Sequence, residues 1–100
     1  MADYNFGRMS ILIAESNTLM RGLLQAVMHS LGVGNITLMR GSDGAMRRLS
    51  LGRAVSPSSG PLAFDLVLAD HGQAKIDGLR LLRWLRQDPG SPNRFMPMIM

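Results

Sequence analysis

The chain contains no cysteine, which removes disulfide scaffolds, thiolate-ligated zinc or iron, and thiol nucleophiles in one step. Aromatic residues make up only 5% of the 100 positions, and no basic run carries interleaved aromatics, the pattern expected of a nucleic-acid stripe. No apolar run approaches the roughly 20 residues that span a bilayer. Residues 1–10 hold Asp3 and Arg8 and lack the apolar middle of a signal peptide. Together these absences read as a cytoplasmic domain without membrane association. With 18% charged and 46% hydrophobic residues, the chain is too apolar to be a disordered tail. Its length fits one domain, 1–100, and excludes two independent cores.

The formal charge is +4, from 11 basic against 7 acidic residues. Arg40, Arg47, Arg48 and Arg53 surround one candidate helix, and Arg80, Arg83 and Arg86 recur at spacing three along another. The charge therefore marks two solvated helix faces, and nucleic acid is not the expected partner.

Strand and helix signals alternate along the chain. Ile11-Leu12-Ile13-Ala14 is an unbroken apolar run, as expected of a parallel strand covered on both faces. Leu19, Met20, Leu23, Leu24, Val27, Met28 and Leu31 then repeat at intervals of three and four, which predicts one core-facing apolar helix face. Asn17 or Thr18 can cap that helix and Gly32 can end it. Gly22 weakens it by about 1 kcal/mol unless close packing requires the missing side chain. A second strand is expected over Asn35–Met39 and a weaker helix over Asp43–Leu51, with Arg47 and Arg48 pointing away. The turn formers between Gly52 and Pro61 predict a surface loop. Leu66-Val67-Leu68-Ala69 repeats the composition of the first strand, Gly78–Arg86 is an amphipathic helix on which Trp84 covers the sheet, and Met98-Ile99-Met100 opens a fourth strand after Pro97.

This order predicts an α/β fold with a wound parallel sheet, helices lying on both faces through right-handed crossovers. Glu15 and Asp70 each follow a strand directly, at the carboxyl edge where ligands of open sheets bind. If those strands are neighbours, two carboxylates meet in one crevice, a donor set suited to hard cations. Asp77 precedes a helix and reads as its cap. His71 and His29 have no partner at ligand spacing.

Ile11-Leu12-Ile13-Ala14-Glu15-Ser16-Asn17, Phe64-Asp65-Leu66-Val67-Leu68-Ala69-Asp70, Asp77-Gly78-Leu79 and Met96-Pro97-Met98-Ile99-Met100 together resemble the receiver domain of bacterial two-component response regulators. The resemblance covers nearly all of the chain from Met9. It implies a flavodoxin-like sheet of order 2-1-3-4, with the fifth strand and last two helices missing and the receiver domain incomplete at its C-terminus. It implies Asp70 as the phosphoacceptor, and Mg²⁺ held by Glu15, Ser16, Asp70 and the carbonyl of Gly72. The partner would be a histidine kinase or phosphotransfer protein, and the module would signal without turning over a metabolite. Ser16 stands where the family usually has a second acid, so weaker Mg²⁺ binding is expected. Gln73-Ala74 replaces the family's Met-Pro pair, and its later Ser/Thr and Lys positions have no counterpart in this chain.

An alternative is a phosphorylation-independent interaction domain on the same scaffold. An enzyme or nucleotide-binding domain fits poorly, because Glu15-Ser16-Asn17-Thr18 lacks the glycine-rich turn that admits a pyrophosphate. An uncovered fourth strand and sheet face would expose apolar surface, which predicts a homodimer or swapped assembly involving Met96–Met100.

Overall fold

The computed structural model describes residues 6–54, 64–70 and 78–100. A 3₁₀ turn (Phe6–Arg8) precedes β1 (Ser10–Ala14), α1 (Thr18–Ser30), β2 (Asn35–Met39), α2 (Ser42–Ala54), β3 (Leu66–Ala69), α3 (Gly78–Gln87) and β4 (Met98–Ile99). The strands form one parallel sheet of order β2-β1-β3-β4, as the resemblance implies. The central position of β1 accounts for its composition. All five of its residues are buried, and its alternating side chains feed two separate cores.

On one face, Leu12, Ala14, Val67 and Ala69 pack with Ala45 and Leu49 of α2 and Leu81 and Leu85 of α3, closed by Phe64 and Met96. Trp84 packs partly buried against this cluster, in its expected covering role. On the other face, Ile11, Ile13 and Val33 are covered by Leu24 and Met28 of α1. That cover is partial, and Leu66 and Leu68 on the same side of β3 are only half-buried.

α1 begins as expected: the Asn17 side chain accepts a hydrogen bond from the Met20 amide at 2.9 Å, satisfying one of the first-turn donors. It ends at Gly32, whose φ of +90° is in the left-handed region that favours glycine. Its apolar face, however, is not buried as the periodicity predicts. Leu19, Met20, Leu23, Val27 and Leu31 are exposed, Leu19 at 84%, whereas Arg21 is buried. The line touching the sheet is Arg21, Leu24 and Met28, and the apolar arc is centred roughly a quarter turn away from it at 100° per residue. Periodicity shows that an arc exists but not which part of it meets the sheet. Met20, expected in the core, is therefore exposed, while Met28 packs as expected.

Two smaller corrections concern α2. The helix runs to Ala54 and does not stop at Leu51, since a lone Gly52 costs a helix about 1 kcal/mol without ending it. Arg48 does not point away: it is half-buried, with its guanidinium 5.1 Å from the centre of the Phe64 ring. Arg47, Arg80, Arg83 and Arg86 are exposed, and Arg80 pairs with Asp43 across α2 and α3 at 3.1 Å. Among the described residues, no helix is long and apolar enough to cross a membrane.

Candidate functional site

The β1–β3 register pairs Ile11 with Leu66 and ends by pairing Ala14 with Ala69. The next residues along the two neighbouring strands are Glu15 and Asp70. Strand spacing in a sheet is about 4.8 Å, so the register alone makes these acids neighbours. The ladder bonds continue one step beyond the strands: the Glu15 amide donates to the Met39 carbonyl at 2.9 Å and the Asp70 amide to the Ala14 carbonyl at 3.1 Å. Both acids are thereby fixed to the carboxyl rim of the sheet, where the wound topology gathers ligands.

They line one pocket of about 560 Å³, together with Asn17. The wall leading away from the acids is apolar, built by Leu19, Met20, Leu23 and Leu24 of α1 and by Leu68, Ile99 and Met100. Glu15 is almost fully buried, at 3% exposure, and one of its carboxylate oxygens accepts the Asn17 amide at 3.0 Å. Asp70 is half-buried.

Behind the rim lies a residue whose role the sequence did not reveal. The Arg21 guanidinium, 7% exposed, donates to the Glu15 backbone carbonyl at 2.9 Å. It ties the second turn of α1 to the end of β1 and so fixes the turn that carries Glu15 and Ser16. A charged residue inside a helical apolar pattern was the available signal, but an exposed arginine gives the same pattern. Asp65 was also missed. Its carboxylate accepts the Ser10 amide at 2.8 Å, joining the starts of β1 and β3 at the opposite edge of the sheet.

Of the four positions that the resemblance implies for Mg²⁺, the structure brings Glu15 and Asp70 to one pocket and places Ser16, half-buried, on the connecting turn. Gly72 lies outside the described residues, as do His71, Gln73, Ala74 and Asp77. The two carboxylates that line the pocket are hard oxygen donors, a type suited to a cation that keeps several of its own waters, and Ser16 lies on the turn beside Glu15 without lining the pocket. The set carries less negative charge than three acids would. Among the described residues, no three His, Cys, Asp or Glu side chains form a metal-binding group.

No family model matches the sequence, and no curated protein matches it. Among solved structures, the chain is similar to the receiver domain of the histidine kinase CKI1 from Arabidopsis thaliana, determined in complex with Mg²⁺. The two are 20% identical and superpose with a TM-score of 0.68 over 78% of this chain. This chain spans 56% of that neighbour's length. The neighbour is a plant protein, so the likeness says nothing of a bacterial source. Strand order, the alternation of strands with helices, and this superposition agree, and the fold of the chain is that of a receiver domain.

Proposed function

We propose that this chain is the receiver module of a two-component phosphorelay, in which Asp70 accepts a phosphoryl group from the phosphohistidine of a histidine kinase or phosphotransfer protein. The observation that carries this reading is the Ala14–Ala69 pairing, which leaves Glu15 and Asp70 adjacent on the rim of one pocket. In the transfer, an Asp70 carboxylate oxygen bonds to phosphorus while the phosphorus–nitrogen bond of the donor breaks. The departing imidazole takes a proton from solvent, and an acyl phosphate remains on Asp70.

The obstacle is the mutual repulsion of two anions. Mg²⁺, when bound, supplies the positive charge that offsets it. Glu15, Ser16 and Asp70 are the described residues that would hold the ion. Arg21 and the Asn17 amide hold the Glu15 turn in place before any ligand arrives, so less ordering is left to binding. Ser16 offers a neutral hydroxyl, and binding weaker than at a three-acid site follows.

Ser16 is also the observation that favours a second reading, in which the scaffold binds a partner without phosphorylation. Incubation with Mg²⁺ and acetyl phosphate, followed by intact-mass measurement, separates the two. The first reading predicts one added phosphoryl group per chain, removed by hydroxylamine and absent in Asp70→Asn. An unmodified chain, or one modified equally in Asp70→Asn, refutes it and leaves the second.

A further inference from the structure

The register that makes neighbours of Glu15 and Asp70 brings a third charged residue to the same rim. Ala14 pairs with Ala69 of β3 on one side and with Met39 of β2 on the other, and each of these residues is the last of its strand. The residue after Met39 is Arg40. The three strand ends therefore carry Arg40, Glu15 and Asp70 in that order, and at a strand spacing of about 4.8 Å the first and last backbones are roughly 10 Å apart. An arginine side chain is long enough to cover much of that distance.

Arg21 is committed to the Glu15 carbonyl and Arg80 to Asp43. Arg40 is exposed and forms no ion pair with an acid among the described residues. It follows β2, the edge of the sheet away from β4. Ser16 gives its charge more weight. Counted formally, Glu15, Asp70 and Arg40 sum to one negative charge, and a bound divalent cation turns this into one positive charge. A rim with a third acid at position 16 and a neutral residue at position 40 would stay negative with the same cation bound. At roughly 8–10 Å through solvent, one such charge changes the binding of a doubly charged ligand by about three- to tenfold.

We propose that Arg40 is a specificity residue of this rim, a cation that favours a doubly charged phosphodonor and at the same time weakens the binding of Mg²⁺. This rests on the reading of Asp70 as phosphoacceptor and adds to it the charge class of the donor. The two effects have opposite signs because the two ligands do, which a purely structural role of Arg40 would not produce.

The test compares the full chain with Arg40→Ala and Arg40→Lys, with circular dichroism to confirm the fold and Arg40→Gln in place of the alanine variant if that fails to fold. With Mg²⁺ saturating, Asp70 modification is followed by intact mass against acetyl phosphate, a dianion near neutral pH, and phosphoramidate, a monoanion. In Arg40→Ala the half-saturating concentration of acetyl phosphate should rise about three- to tenfold with the limiting rate little changed, and that of phosphoramidate only about two- to threefold. Mg²⁺ titration without phosphodonor, read from the amide NMR shifts of Glu15 and Ser16, should show binding about three- to tenfold tighter in Arg40→Ala. Arg40→Lys should keep the values of the unchanged chain. If the unchanged chain is modified on Asp70 but Arg40→Ala leaves either affinity unaltered, or weakens both together, the role of Arg40 is overturned and the phosphoacceptor reading stands. If the unchanged chain is not modified on Asp70, that reading fails and this role fails with it.

Discussion

The two faces of this sheet are made from the same strands but finished differently. Over one face, α2 and α3 close a core in which Leu12, Leu49, Val67, Leu81 and Leu85 have lost all contact with water. Over the other, among the described helices, α1 covers Ile11 and Ile13 with Leu24 and Met28 and leaves Leu19 and Leu23 exposed. β1 serves both faces from alternate residues, so the difference lies in the helices and not in the strand. Interior packing gives the first face its stability. The second has exposed apolar surface and, at its end, the two acids. The division predicts that truncations on the closed face cost stability, and that truncations at the exposed positions of α1 do not.

The sharpest way to break that contrast is to truncate one leucine on each side. Leu81→Ala, at a position with no exposure, should cost about 2–5 kcal/mol, from lost transfer energy and the cavity left behind. Leu19→Ala should stay within about 0.5 kcal/mol in the monomer. Urea denaturation at low protein concentration reads both, and equal losses would show that α1 is covered in the folded monomer. A smaller effect is expected from Asn17→Ala. It removes the cap of α1, and about 1 kcal/mol of stability should go with it, measured in the same titration. The smallest runs the other way. A Cβ at Gly22 meets nothing within 4 Å, so Gly22→Ala should stabilise the chain by about 0.5–1 kcal/mol through helix propensity alone. A loss of stability there would mean that something packs on that side of α1.

Much of this architecture can be read from residue order. Ile11–Ala14 is an unbroken apolar run because β1 is buried on both faces, Leu66–Ala69 reads the same although Leu66 and Leu68 are only half-buried, and each run is followed by its acid. That is enough to place Glu15 and Asp70 on one rim once the strands are taken as neighbours. What could not be read depends on distances between elements. Whether Arg21 or Leu23 turns toward the sheet is decided by how α1 lies on β1 and β3, and a helical period is the same for either rotation. The inward turn of Arg48 depends on where the Phe64 ring comes to rest, a contact between residues far apart in sequence. Asp65 could not be recognised as a clamp on Ser10 without the pairing that brings them together.

The contact at the far edge of the sheet has one more consequence. Asp65 takes the Ser10 amide with its carboxylate and gives its own amide to the Ser10 carbonyl, at 2.8 Å each. A slip of one residue between the two strands would turn every side chain of β3 to the opposite face. This two-point latch at the entrance of β1 and β3 therefore sets the level at which Glu15 and Asp70 emerge at their exit.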